Sequence, residues 1–122
     1  MDPDWLLRGP RPEPLETFER CAVAELLNDP ACPDVSLALA RVAPGVTTRL
    51  HVLDGVTERY VIRTGTGRVE IGGHQAAVTV GDRVLIAPGV TQRVTNTGLG
   101  ILEFYCVCTP RFSPEVYRDV ED

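Results

Sequence analysis

Lysine is absent from this chain of 122 residues, so all 12 basic residues are arginine. Without a side-chain amine, the protein cannot form a Schiff base with pyridoxal phosphate or with a carbonyl substrate. Serine is also scarce, since Ser36 and Ser113 are the only two and neither lies in a Gly-x-Ser-x-Gly turn. A glycine-rich phosphate loop that ends in lysine is missing as well. These absences exclude lysine-dependent, serine-hydrolase and P-loop chemistry.

Long apolar runs are missing too, and the first residues, Met1 to Asp4, are acidic rather than basic. We therefore expect neither a membrane span nor a secretory signal, and the sequence predicts a soluble cytoplasmic protein. The net charge is −5 with no basic cluster, which disfavours nucleic acid and acidic membrane surfaces as partners. A hydrophobic fraction of 43% in a chain of this length fits a single domain.

The four cysteines are Cys21, Cys32, Cys106 and Cys108. Their spacing matches neither a Cys-x-x-Cys redox pair nor a zinc finger. Cysteines two residues apart on a strand share a face without the geometry that favours a disulfide. We expect reduced, mostly structural thiols, with a reactive thiol as the alternative.

Residues 1–16 are rich in proline and charge and predict an extended arm. Within it, Trp5, Leu6 and Leu7 form an apolar patch that we expect to dock on the domain or on a partner subunit. Residues 17–28 are ambiguous between helix and strand by periodicity. Asn28, Asp29 and Pro30 end this segment in either case.

From residue 35 onward the chain alternates short β-type runs with turn residues at intervals typical of an all-β sandwich or barrel. The predicted strands are 35–42, 48–53, 58–63, 67–71, 76–80, 83–86, 91–96 and 101–108. The barrel is assigned to residues 17–112. In the tail, residues 113–122, the run Ser113-Pro114-Glu115 is a helix start signal, so we predict a short helix from Ser113 to Val120.

The period of two along a strand places certain polar residues on the same face. His51 shares a face with Leu53, and Glu58 shares a face with Tyr60 on the next predicted strand. A hairpin between these strands would bring His51 and Glu58 together, and Gln92 on a later strand can face the same interior. A carboxylate in that interior must be paired, hydrogen-bonded or metal-bound, because an isolated buried charge is costly.

The run from Gly45 to Gly65 resembles the first cupin motif, Gly-x5-His-x-His-x3–4-Glu-x6-Gly, with Leu53 at the second histidine. The run from Gly81 to Asn96 is similar to the second motif, Gly-x5-Pro-x-Gly-x2-His-x3-Asn. There Ala87 stands for the first proline and Gln92 for the histidine. The resemblance implies a double-stranded β-helix, also called a jelly-roll barrel.

The same resemblance implies that His51, Glu58 and Gln92 hold a divalent ion, which could be iron, manganese, nickel or zinc. Catalytic roles are then expected for His51, Glu58 and Tyr60, with Arg49 and Gln92 contacting the substrate. Two alternatives stay open for individual residues: Tyr60 could be an ordinary core residue, and Arg49 could be a solvent-exposed strand-end arginine.

The leading functional hypothesis is a metal-dependent enzyme of dioxygenase, isomerase or lyase type that acts on a small molecule. The alternative is a non-catalytic cupin that binds a small ligand or assembles with partners without metal. A third hypothesis is a metal-free site, in which the residues form a hydrogen-bonded cluster and His51 and Glu58 act as an acid–base pair on a bound ligand. Small cupins similar to this chain commonly pair, so a homodimer is expected, with the arm crossing to the other subunit.

Overall fold

Strands make up nearly all the regular structure of the computed structural model, which describes residues 1–10 and 12–121. Arg11 in the predicted arm and Asp122 in the predicted tail lie outside the described residues. In chain order the strands are β1 Leu15–Glu16, β2 Ala22–Leu27, β3 Ser36–Val42, β4 His51–Leu53, β5 Thr57–Thr64, β6 Thr66–Ile71, β7 His74–Thr79, β8 Arg83–Ile86, β9 Gln92–Asn96, β10 Leu102–Thr109 and β11 Tyr117–Asp119. Each of the eight predicted strands is confirmed, with ends shifted by up to three residues.

The strands form two antiparallel sheets, one of six strands in the order β1-β2-β3-β10-β5-β8 and one of five in the order β11-β4-β9-β6-β7. This confirms the predicted all-β, double-sheet architecture. Alternate residues of the strands point inward, and the most deeply buried side chains lie between the sheets. Those buried to 2% exposure or less include Val42, Ile62, Ile86, Val94 and Leu102.

The segment whose type the sequence left open is a strand. β2 pairs antiparallel with β3, so Ala24 lies opposite Leu39. Without β2, the edge of β3 would expose a row of unpaired backbone groups, and pairing satisfies them. The last two residues of the predicted arm, Leu15 and Glu16, extend the same sheet as β1.

The predicted C-terminal helix is wrong. Only Pro114–Val116 forms a turn of 3-10 helix, and the chain then continues as β11. β11 pairs with β4, so Tyr117 lies opposite Leu53, and it thereby covers the second edge of β4. A helix of a few residues is marginal on its own, whereas the strand gains ladder hydrogen bonds and packing.

The predicted hairpin between β4 and β5 is also wrong. β4 pairs with β9 and β11 in the five-stranded sheet, whereas β5 pairs with β10 and β8 in the six-stranded sheet. The turn at Asp54 and Gly55 carries the chain from one sheet to the other, and Gly55 has a positive φ of 72° that suits glycine. His51 and Glu58 therefore belong to opposite walls of the barrel.

Two of the three apolar residues predicted to dock are left uncovered by the domain, whereas Leu6 between them is half-buried. Trp5 is 81% exposed and Leu7 is 53% exposed, so the body of the protein does not cover them. No helix in residues 1–10 and 12–121 has both the length and the apolar character needed to cross a membrane.

Candidate functional site

A cavity of about 100 Å³ lies between the two sheets. His51 and Leu53 on β4 and Gln92 on β9 line it from the five-stranded sheet. Glu58 and Tyr60 on β5 line it from the six-stranded sheet. The structure thus brings together four of the five residues predicted for the site, and it does so across the barrel instead of within a hairpin.

The alternation of side chains along β5 explains why Glu58 and Tyr60 face inward. Both are buried, while their neighbours Arg59 and Arg63 are exposed. The same period of two turns Cys106 and Cys108 of β10 toward the cavity. A shift of one residue in β5 would bring Arg59 to the inward face in place of the carboxyl or the phenol, so the alternation in the sequence fixes the register.

His51 is held in one orientation and one tautomer. Its Nδ1 lies 2.9 Å from the carbonyl oxygen of Arg49, which can only accept, so Nδ1 carries the proton and donates. The ring also stacks on Tyr117 with 4.7 Å between ring centroids. In the neutral imidazole, Nε2 is therefore the acceptor nitrogen, free to take a proton from a molecule in the cavity.

Gln92 lies directly opposite His51 in the pairing of β4 with β9 and is 1% exposed. The Tyr60 hydroxyl donates a hydrogen bond to Gln92 Oε1, which fixes the orientation of the amide. Nε2 of the same amide makes no hydrogen bond. A buried donor left without an acceptor costs about 1–3 kcal/mol, which a polar molecule in the cavity would offset.

Glu58 is 7% exposed, and burial raises the pKa of its carboxyl to about 7. The neighbouring Gln92 amide and the Cys108 thiol work against this shift because they favour the ionised form, although the amide stays short of full hydrogen-bond geometry. The charge of Glu19 acts in the same direction as burial. A carboxyl of this kind exchanges its proton near neutral pH.

Glu19 and Tyr117 also line the cavity, and sequence reasoning missed both. Glu19 Oε1 lies 3.9 Å from His51 Nδ1, and burial raises the pKa of the Glu19 carboxyl while His51 lowers it. Glu19 precedes β2 in an irregular segment, and Tyr117 belongs to the strand that was predicted as helix. No spacing rule in the sequence connects either residue to β4.

Arg49, predicted to contact substrate, does not line the cavity. Its guanidinium forms ion pairs with Asp119 and Glu121, which the pairing of β11 with β4 brings alongside. The Asp119 carboxylate raises the pKa of Arg49. This arginine therefore fastens the C-terminal strand to β4 in the structure.

The residues do not fit a firmly held divalent metal. Leu53 occupies the position of the second motif histidine and is buried and apolar, and the Gln92 oxygen already accepts the Tyr60 hydroxyl. His51 and Glu58 are then the only strong donors left of the predicted set. Within residues 1–10 and 12–121, no group of three or more histidine, cysteine, aspartate or glutamate side chains is arranged to hold a metal ion.

The two sheets and the enclosed site define a double-stranded β-helix protein. The family described as Cupin domain matches residues 38–108, more than half of the chain. The chain belongs to the cupin family. The motif resemblance predicted from residues 45–96 is thereby confirmed.

Solved structures of the same fold support this assignment. A double-stranded β-helix protein from Klebsiella pneumoniae superimposes with a TM-score of 0.75 at 17% identity, covering 88% of this chain and 90% of that one. A predicted oxalate decarboxylase from Thermotoga maritima gives 0.72 at 27% identity, covering 81% and 91%. The Streptomyces nucleoside dehydratase Pac13 gives 0.76 at 14% identity, covering 90% and 85%. No curated protein matches the chain by sequence.

Proposed function

We propose that this cupin is a small-molecule enzyme of the isomerase or lyase type that moves protons without a resident metal ion. The observation that supports this most strongly is a buried carboxyl, Glu58, that shares one cavity with the acceptor nitrogen of His51. The pKa of about 7 at Glu58 means that both its protonated and its ionised form are populated at neutral pH.

The groups around the cavity can divide the work of one proton transfer. Ionised Glu58 removes a proton from the carbon next to a carbonyl. The electron pair of the broken C–H bond forms a carbon–carbon double bond, and the π pair of the carbonyl moves to its oxygen. The unpartnered Nε2 of Gln92 donates a hydrogen bond to that oxygen and stabilises its developing charge. Protonated Glu58 or His51 then returns a proton to a neighbouring atom, or protonates a leaving hydroxyl.

Two relatives make this chemistry reasonable for the fold. Pac13 is described as a nucleoside dehydratase, and a dehydration needs one proton removed and one delivered. The Thermotoga maritima protein is described as a predicted oxalate decarboxylase. A decarboxylation breaks a carbon–carbon bond and a dehydration breaks a carbon–oxygen bond, so one fold is associated with more than one lyase reaction.

A metal-dependent version of the site is the competing hypothesis. It would use His51, Glu58 and Gln92 to hold iron, manganese, nickel or zinc, and it would add dioxygenase chemistry to the possible reactions. The poor ligand set makes it the less well supported reading. A non-catalytic cupin that only binds a small molecule is the second competitor, favoured by the leucine at position 53.

The test follows carbon-bound protons by NMR. Metal-stripped protein is incubated in deuterated buffer with hydroxyacetone and its amino analogue aminoacetone, and loss of the proton signal beside the carbonyl is timed. We expect exchange above the buffer rate, reduced roughly 100-fold or more in Glu58→Gln. Glu13→Gln, which changes the same charge on the exposed arm, is the matched control and should exchange like the unmodified protein.

Each competitor gives a different result in this assay. Exchange that appears only after manganese, iron, nickel or zinc is added, and that rises in proportion to bound metal, would support the metal-dependent enzyme instead. Absence of exchange in every condition, together with saturable binding of either ketone, would support the binding protein. An equal rate in Glu58→Gln and in the unmodified protein would remove Glu58 from the mechanism.

We also propose that the protein acts as a homodimer. Trp5 and Leu7 on the arm are exposed, which supports this proposal. Apolar side chains that the domain leaves in contact with water gain stability when they pack on the surface of another subunit.

A further inference from the structure

The cavity is acidic. Of the residues that line it in the described part of the chain, three are glutamates, Glu19, Glu25 and Glu58, and none is arginine. The chain has no lysine to add a positive charge. An anionic ligand would therefore meet three carboxyl groups, with His51 the one lining side chain able to carry a positive charge. Repulsion between like charges is strong in such a space of low dielectric.

Two arginines beside the C-terminal segment are engaged in ion pairs within the protein. Arg49 pairs with Asp119 and Glu121, and Arg20 pairs with Glu121. Both guanidiniums belong to the ion pairs that fasten the C-terminal segment along β4. These two guanidiniums are therefore occupied by the protein's own carboxylates.

The polar groups of the cavity lie at different depths. The side chain of Glu19 is 22% exposed, so it stands near the opening. Glu58 is 7% exposed and Gln92 is 1% exposed, so they form the inner end. There Nε2 of Gln92 is a buried donor without an acceptor, which calls for an oxygen or nitrogen lone pair on a bound molecule.

We propose that the cavity takes a small organic cation, an amine that also carries a hydroxyl or carbonyl oxygen, with its ammonium group at Glu19 and its oxygen at Gln92 Nε2. This names the substrate class of the proposed enzyme and rests on that function only for the reaction, since binding can be measured separately. Glu19 is then the residue that sets the charge preference, and a cavity of about 100 Å³ limits the ligand to a few non-hydrogen atoms.

The test uses three two-carbon probes that differ mainly in charge: ethanolamine is a cation, ethylene glycol is neutral and glycolate is an anion. Binding to the metal-stripped full chain is measured by calorimetry at about pH 8, where Glu58 is mostly ionised because its pKa is about 7. We expect ethanolamine to bind most tightly and glycolate most weakly. Glu19→Gln should weaken ethanolamine binding about tenfold, as expected for loss of one charge-assisted hydrogen bond, whereas Glu13→Gln should leave it unchanged.

A second variant guards against a folding defect in Glu19→Gln. Glu19→Lys should reverse the order, so that glycolate binds more tightly than ethanolamine. Equal binding of the three probes, preference for glycolate by the unmodified protein, or no binding of any probe would each overturn the inference. A charge preference with no proton exchange by Glu58 would retain the inference and refute the proposed enzyme. Proton exchange on carbonyl compounds combined with tight glycolate binding would support the proposed enzyme and refute the inference about a cationic ligand.

Discussion

The thiol of Cys108 donates a hydrogen bond to the carboxyl of Glu58, its direct partner across the pairing of β10 with β5, with 3.6 Å between Sγ and Oε2. Burial and the nearby carboxyl both raise the pKa of this thiol, so it stays protonated and remains a donor. The bond favours ionised Glu58 and so limits the shift that burial imposes on the carboxyl. A residue that the motif does not include therefore adjusts the acidity of the central acid.

Replacing Cys108 by alanine should raise the pKa of Glu58 above its value of about 7, because the donor is lost while the burial remains. The carboxyl carbon of Glu58 can be followed by NMR through a pH titration of protein labelled at glutamate. Cys32→Ala is the matched control, since Cys32 lies outside the cavity and its thiol faces Asp34. A lower or unchanged pKa in Cys108→Ala would show that the thiol does not stabilise the ionised form.

Glu58 should make the protein less stable as the pH rises. Its pKa is raised from an ordinary value of 4.5 to about 7, so the folded state holds this proton more tightly than the unfolded chain does. Its contribution to stability is fully present below about pH 4.5 and is lost as the pH passes through 7, a change of about 3 kcal/mol. The raised pKa of Glu19 acts in the same direction.

Chemical denaturation at about pH 5 and about pH 8 measures this effect in the unmodified protein and in Glu58→Gln. The neutral amide does not titrate, so the variant should lose about 2.5 kcal/mol less of its unfolding free energy between the two conditions, since a part of the change falls below pH 5. Identical losses in both proteins would mean that Glu58 has the same pKa in the folded and unfolded states.

Most of the barrel could be predicted from the sequence because local patterns carry the information. Alternation of apolar and polar residues marks the strands, and glycine and proline mark the turns between them. The predictions failed for β11, which is an edge strand, and left β2 open, which only the two-residue β1 separates from the edge of its sheet. Such strands form because a neighbouring strand offers unpaired backbone groups. That neighbour is distant in sequence, so the local pattern of residues does not reveal it.

The candidate site could be predicted in part, for a similar reason. His51, Glu58, Tyr60 and Gln92 occupy inward positions that alternation and motif spacing specify, although the strands of His51 and Glu58 belong to two different sheets and form no hairpin. Glu19 reaches the cavity from an irregular segment more than thirty residues before His51 in sequence. Arg49 was expected at the site, but its guanidinium forms an ion pair with Asp119 at the end of β11 instead.

Leu53 is the residue whose replacement should convert the site toward metal binding. It lines the cavity on the same strand as His51, so Leu53→His adds a second imidazole to the donors already present. We expect this variant, stripped and then incubated with nickel or zinc, to retain more metal per chain than the unmodified protein, as measured by elemental analysis. Bound metal should also raise its melting temperature, since a ligand of the folded state stabilises it.

The matched control for this substitution is Leu53→Asn, because it removes the same buried apolar side chain without supplying a strong metal ligand. Both variants should be less stable than the unmodified protein in the absence of metal, by a similar amount. Equal metal content in the histidine and asparagine variants would indicate that position 53 and His51 do not converge on one point.

Removal of residues 1–13 should weaken the proposed homodimer while it keeps the domain folded. The deletion takes away Trp5 and Leu7, whose side chains the domain leaves exposed, but retains β1, which pairs with β2. We expect light scattering over a range of concentrations to give the mass of a dimer for the full chain, whose monomer is 13.3 kDa, and the mass of one shortened chain for the deletion. The double variant Trp5→Ser with Leu7→Ser should have the same effect if these two side chains form the contact. A dimer that persists unchanged in both proteins would place the contact elsewhere and leave the arm without a part in assembly.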